Sequence, residues 1–519
     1  MDAALQSQVL EYDQVKDSMR EEVDAVVVGT GCGGAVMAKE LAKAGKSVLM
    51  IERGGFYTID RGDFDQREDD MLSRIDGGRG LDTTSNGQLA LTYGNNVGGA
   101  SVHYWADTWR TPKDRLEKWE REFGVEGHHL EELQPYFERI ETDLNVHPAE
   151  DARLNTMNRL FEAGAIRAGI AVERVMQARK GCIGSGYCMQ GCSYDAKQSQ
   201  LVTHIPEALR AGARIFADCL VDRVLLENGG ATGIVGRFID RRTAQPSGHT
   251  LTVKAKVVVV AAGGYSSAPL LMRTGVPDAS GQLGRNLMLN PCPQLFGLFD
   301  QDVVMWRNIP AGVGSMQYRL HTFEGEKYKE GGYLLYPNQL PPATLAALLP
   351  GFGASHRKLM DHAHRIGSAI AWIDDQHGGG VSLDEDLNPV WDYSLRGVDL
   401  LTVRDALKKQ ATVLFHAGAK EIVVPDPRGT RLKGLDQLSK LDGVKVDELL
   451  FAAPHPSSMC RMGKDPLKSV VDCNNRVHGV EGLYVCDPSV FPTAVSVDPS
   501  ETIMAFSYLA AARLLAAWG

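Results

Sequence analysis

Residues 23–52 read VDAVVVGTGCGGAVMAKELAKAGKSVLMIE, and the order of features in this stretch decides the fold class. Val23 to Val28 is an apolar run of strand length that leads straight into Gly29-Thr30-Gly31-Cys32-Gly33-Gly34. A helical pattern begins at Ala35, and a second apolar run, Ser47 to Ile51, ends in Glu52. Strand, glycine turn, helix, strand and acid, with the acid about twenty residues on, form the fingerprint of a βαβ unit that cradles a dinucleotide. Glycine at 29 and 31 permits a tight turn and a close backbone approach, so that the amides at the helix start face a pyrophosphate. Gly29, Gly31, Gly34 and Glu52 are the candidate cofactor-binding residues, with Glu52 accepting from ribose hydroxyls. A glycine-rich turn with no ligand would leave the placed acid unexplained.

Working outward, the chain of 519 residues with 44% hydrophobic content can bury more than one core. A net charge of -10 without a basic stripe excludes a phosphate backbone as an expected partner, so no nucleic acid is expected. The first twenty residues are charged and lack the apolar stretch of a secretory signal, which gives a cytoplasmic expectation. Ile503 to Trp518 is apolar but short for a membrane span and interrupted by Arg513, so it reads as a buried helix and no transmembrane segment is expected. Nine cysteines, an odd number, point to thiols or metal ligands in preference to a disulfide framework.

The fingerprint does not separate FAD from NAD. A second glycine loop follows at Tyr93-Gly-Asn-Asn-Val-Gly98-Gly99-Ala100-Ser101-Val-His103-Tyr-Trp105. Here the chain resembles the GMC (glucose-methanol-choline) flavin oxidoreductases, in which such a loop lies against the flavin ring. The resemblance continues through Glu131–Glu141, Val257–Leu271 and Gly284-Arg-Asn286, and is thinnest between about 300 and 450. It implies FAD as cofactor, with Gly98, Gly99 and Ser101 in the flavin loop. It also raises a covalent link through His103, which some members use and others with a similar His-Trp motif do not. Asp487 falls near the flavin phosphates or ribityl chain by the same likeness, or it caps a turn.

His455-Pro-Ser-Ser-Met-Cys460-Arg-Met-Gly463 resembles the family's catalytic segment and places His455 at the catalytic histidine. Imidazole suits the role, because moving hydride from an alcohol carbon leaves a proton on oxygen and histidine titrates near operating pH. A structural loop histidine is the alternative. At the second catalytic position, where the family has His or Asn, this chain has Asp498. An ionised carboxylate cannot donate to the substrate oxygen, so Asp498 is expected to orient or charge-stabilise His455.

Cys182, Cys188 and Cys192 stand in a glycine-rich stretch, GCIGSGYCMQGCSYDAKQS over 181–199. Their spacing resembles that in catalytic subunits of bacterial FAD-dependent sugar and polyol dehydrogenases, where such cysteines hold a three-iron cluster. Thiolates are the ligands an iron–sulfur cluster takes. Free thiols and a three-cysteine zinc site are the alternatives. A cluster would pass electrons to an acceptor protein or small subunit, and such a subunit could also carry the chain to the periplasm.

The expected architecture is α/β: a Rossmann-type FAD-binding domain, discontinuous over about 20–110, 200–300 and 455–519, with an α+β cap on an antiparallel sheet over about 111–199 and 301–454. The expected activity is oxidation of a sugar, polyol or other small-molecule alcohol by hydride transfer to flavin, with electrons leaving to a non-oxygen acceptor. The alternative is an oxidase that reduces oxygen to hydrogen peroxide. A non-catalytic flavin carrier would have no use for the His455 segment. The apolar, proline-bounded stretch LPPATLAALLPG at 340–351 reads either as a lid or partner-facing helix or as a plain core helix.

Overall fold

The computed structural model describes residues 3–77 and 82–518. The valine run forms the inner part of strand Met19–Val28, whose last four residues are all buried. This is the pattern of a parallel strand covered on both faces. It pairs in parallel with Val48–Ile51 on one side and with Gln245–Val260 on the other. Between them, helix Cys32–Lys43 makes the crossover and starts three residues earlier than the sequence pattern suggests. The early start draws Gly33 and Gly34 into the first turn, where a β-carbon at Gly34 would lie 2.1 Å from the Gly29 carbonyl oxygen. The helix can therefore approach the strand only with glycine there.

The sheet continues outward through Arg214–Phe216 to Val9–Leu10, and on its other flank through an antiparallel meander of Gly230–Asp240 and Cys219–Glu227. Strand Gln245–Val260 changes partners along its length. Its first part pairs with the meander, whereas Val258–Val260 pairs in parallel with Leu483–Val485. Helix Ser500–Trp518, buried along most of its first three turns, packs on helix Cys32–Lys43. Among the described residues, no helix is long and apolar enough to cross a membrane.

A second, wholly antiparallel sheet has the order Tyr333–Pro337, Ile366–Ile373, Gln294–Leu298, Glu421–Val423, Arg431–Leu432. Every residue of Ile366–Ile373 is buried, and helix Val398–His416 backs the sheet. The stretch at 340–351 is not one core helix. It yields the short helix Pro342–Leu348, followed by Gly353–Met360, and Phe352 between them is 89% exposed.

Candidate active site

The two glycine loops meet. A β-carbon on Gly99 would sit 2.8 Å from the α-carbon of Gly31, and the Gly98 amide donates to Thr30 Oγ1 at 3.0 Å. Thr30 in turn donates to Glu52 Oε2 through its hydroxyl (2.7 Å) and its amide (3.2 Å), and Glu52 Oε1 accepts from the Gly54 amide at 2.9 Å. Glu52 is thus buried but well partnered, and burial raises its pKa. Oε1 keeps one acceptor position, enough for one ribose hydroxyl.

Gly31 opens outward, because an added β-carbon there would meet nothing nearer than Gly99, at 4.0 Å. Behind it lie the first-turn amides of helix Cys32–Lys43, which have no acceptor within the helix. Partly exposed Gly29 and Gly99 and exposed Ala100 continue this ledge. A ledge of open glycine, helix amides and a held acid fits a dinucleotide.

The remaining predicted cofactor residues face inward. Ser101 Oγ donates to the Gly98 carbonyl at 2.7 Å and accepts from the Gln200 amide at 2.9 Å, so it braces the loop from behind. Asp487 caps the turn Pro488–Val490 through the Ser489 amide at 2.9 Å and also accepts from the Gly263 amide at 3.1 Å and from Ser267 Oγ. His103 is buried with Nε2 2.6 Å from the Ile75 carbonyl oxygen, and burial lowers its pKa.

His455 and Asp498 come together, with Nε2 and Oδ1 3.6 Å apart. Two contacts outside the catalytic motif hold the histidine. Asn290 donates through its amide nitrogen to the Ile373 carbonyl, which turns its Oδ1 towards His455 Nδ1 at 2.7 Å. Trp372 covers the ring, with centroids 5.1 Å apart. An amide oxygen can only accept, so Nδ1 carries the proton and the Nε2 lone pair is free. Burial pushes the pKa of His455 down to about 3, which keeps the ring neutral at ordinary pH. Burial also pushes Asp498 up, to about 7, so at neutrality it is not the fully ionised group expected from the sequence. Neither Asn290 nor Trp372 belongs to a spaced motif; only the strand pairing brings them beside residue 455. The rings of Trp105 and Tyr336, with centroids 5.9 and 6.4 Å from that of Trp372, extend this aromatic cluster.

The cysteine stretch requires a correction. Cys182, Cys188 and Cys192 line a common cleft with Arg179 and Lys197. Among the described residues, however, no three His, Cys, Asp or Glu side chains converge as metal ligands. Cations hold this loop. Arg179 Nη1 donates to Cys188 Sγ at 3.4 Å, while buried Lys197 donates to the carbonyls of Val102 (2.6 Å), Tyr104 (3.0 Å) and Cys188. The three cysteines are free thiols here. The iron–sulfur reading has no support, and the electron exit built on it loses its basis.

Family models for the two parts of the GMC oxidoreductases match residues 23–292 and 376–507. A GMC-type oxidoreductase of Mycobacterium tuberculosis is 31% identical over 494 residues, covering 95% of this chain and 76% of that protein. A long-chain-alcohol oxidase of Arabidopsis thaliana is 26% identical, covering 97% of this chain and 69% of its own length. Among solved structures, pyridoxine 4-oxidase from Mesorbium loti superposes with a TM-score of 0.70 at 19% identity, covering 95% of this chain and 99% of that one. Formate oxidase of Aspergillus oryzae does so with a TM-score of 0.73 at 15% identity, covering 97% and 99%. With the fold, the dinucleotide ledge and the histidine cleft in place, these matches make the chain a member of the GMC oxidoreductase family, an FAD oxidoreductase of hydroxyl-bearing donors.

Proposed function

We propose that this chain oxidises a long-chain aliphatic alcohol to the carbonyl compound and returns the electrons to dioxygen. The observation that carries the catalytic part is the free Nε2 lone pair of His455, aimed by the Asn290 contact and 3.6 Å from Asp498. When bound on the ledge of Gly31 and Glu52, FAD supplies the hydride acceptor. The protein's share is to remove the hydroxyl proton onto His455 Nε2 and to hold the alcohol oxygen between His455 and Asp498. The partly exposed Trp105, packed on the Trp372 ring that covers His455, supplies apolar surface beside the histidine, and similar proteins include long-chain-alcohol oxidases. Dioxygen as acceptor is supported by the oxidase names of those relatives and of the two structural neighbours.

Anaerobic mixing of the holoenzyme with dodecanol is expected to bleach the flavin faster than glucose or sorbitol does, and in air to give one hydrogen peroxide per alcohol consumed. Faster bleaching by the sugars would defeat the substrate reading. Rapid dye reduction with negligible peroxide would defeat the acceptor reading.

We also propose that the flavin is held without a covalent bond, since His103 Nε2 is engaged by the Ile75 carbonyl. Acid precipitation should release all the yellow colour into the supernatant. Flavin that stays with the pellet and migrates with the denatured chain would show the opposite.

A further inference from the structure

The oxygen that sets the His455 tautomer belongs to Asn290, and Asn290 stands in a conformation that needs support. Its backbone is left-handed (φ 50°), which asparagine tolerates, but proline follows at 291 and a residue before proline favours extended backbone. Such a conformation persists only where its surroundings hold it. Here each polar group of the buried residue has a partner. The Asn290 amide donates to Asp375 Oδ1 at 3.2 Å and its carbonyl accepts from Cys292 Sγ at 3.3 Å, while the side chain donates to the Ile373 carbonyl and accepts from His455.

Asp375 holds the neighbouring peptide as well. Its Oδ2 accepts from the Leu289 amide at 2.9 Å and from the Tyr393 hydroxyl at 2.8 Å, so one carboxylate takes two consecutive backbone amides and is itself fixed from a third side. Asp375 and Tyr393 are both buried. The segment so held runs directly beside the histidine, because Met288 and Ser457 exchange both backbone hydrogen bonds, at 3.2 and 2.9 Å. Its other end is tied to the same strand end, where the Ile373 amide donates to the Pro291 carbonyl at 3.1 Å.

We propose that Asp375 is a positioning residue for His455, which clamps the 289–290 amides and so holds Asn290 Oδ1 where it keeps the histidine proton on Nδ1. It acts through Asn290. Loss of the clamp lets Asn290 relax towards extended backbone and withdraws the acceptor at Nδ1. The ring can then carry its proton on Nε2, the position that must be free to take the hydroxyl proton. A carboxylate suits two amides because both its oxygens accept, whereas asparagine at 375 would set an NH2 group against one of them. As a claim about catalysis the inference rests on the alcohol-oxidising reading; as a claim about the proton on His455 it does not.

The neighbours of Asp375 act on its charge in both directions. Burial pushes its pKa up to about 7 and Asp399 and Asp374 add to the rise, while the Leu289 amide and the Tyr393 hydroxyl oppose it. Asp374 is itself paired with Arg115 at 2.6 Å, and Asp399 with His377 at 2.8 Å. The clamp is therefore tested at least one pH unit above that value, where the carboxylate is ionised.

The test is nitrogen NMR of the substrate-free holoenzyme carrying isotope-labelled histidine, with the His455 ring identified by the signals that vanish in His455→Gln. In the wild type the protonated nitrogen of that ring should be Nδ1, and Asp375→Asn should move the proton, wholly or in part, to Nε2. In anaerobic mixing with dodecanol the limiting rate of flavin bleaching should fall about 10–10²-fold, the cost of a reacting group misplaced by about an ångström, with half-saturation and flavin content unchanged. Asn290→Ala should show the same loss, and adding Asp375→Asn to it should cost nothing further, since both act through one contact. If Asp375→Asn does not fold, Tyr393→Phe supplies the second arm. It frees the carboxylate on one side and should give a smaller shift of the proton and a smaller rate loss, again absent in the Asn290→Ala background. A folded variant with the proton still wholly on Nδ1, rate losses that add in the double variant, or a moved proton with an undiminished bleaching rate would overturn the positioning role. A proton that moves while no alcohol bleaches even the wild-type flavin would leave the clamp standing and overturn the functional reading.

Discussion

Replacing His455 with alanine is expected to slow anaerobic flavin reduction by an alcohol about 10²–10⁴-fold, the usual contribution of a placed general base, while the protein keeps its FAD. The expectation follows from the tautomer. Asn290 fixes the proton on Nδ1, burial keeps the ring neutral, and Nε2 alone is free to take the hydroxyl proton. Alanine removes that acceptor and leaves the backbone of the Gly31 ledge unchanged. The decisive readout is the single-turnover rate of flavin bleaching beside the flavin-to-protein ratio. A His455→Ala protein that bleaches within tenfold of the wild type would remove His455 from the chemistry. Loss of flavin in the variant would instead assign it a binding role.

The second large effect divides two glycines that the sequence motif treats alike. Gly34→Val places a side chain where its first carbon alone would lie 2.1 Å from the Gly29 carbonyl oxygen, a backbone atom with nowhere to move. Overpacking of this kind costs about 1–3 kcal/mol or more. The helix should lift from strand Met19–Val28, and thermal unfolding of the apoprotein should fall by several degrees, with flavin lost as a consequence. Gly31→Ala is different, because its methyl group meets no protein atom nearer than 4.0 Å. The apoprotein should melt as the wild type does and yet bind FAD poorly, since the methyl group occupies space on the cofactor side. Equal melting losses in both variants would show that Gly31 serves packing, and full flavin content in Gly31→Ala would place the pyrophosphate elsewhere.

These contrasts also indicate where the sequence was readable. Val23–Val28, the glycine turn and Glu52 obey local rules of strand burial, turn geometry and spacing, and the structure realises them within a few residues. His455 and Asp498 were legible through a resemblance spread over many positions, and the carboxylate at 498 stood out as a departure before any geometry was known. What surrounds them was not legible. Asn290, Trp372 and Tyr336 arrive from a loop and two strands, and their proximity is a product of tertiary pairing with no period or spacing to mark it. The cysteine stretch failed for a related reason. Spacing along a glycine-rich loop does not fix where the sulfurs point, and here the cations of Arg179 and Lys197 set the loop.

The partner change along strand Gln245–Val260 bears on how the protein is made. On the side away from strand Met19–Val28 its final residues pair with Leu483–Val485, and Gly33 at the cofactor helix is packed against the Cys486 carbonyl. While a ribosome is still translating the middle of the chain, the valine-rich central sheet has an open edge and the cleft lacks a wall. A nascent chain in that condition is a client for holdase chaperones and a poor receptor for FAD. Loading of the flavin is expected only after Leu483–Val485 has joined the sheet, and cofactor supply should then govern the yield of mature enzyme without altering the rate of elongation.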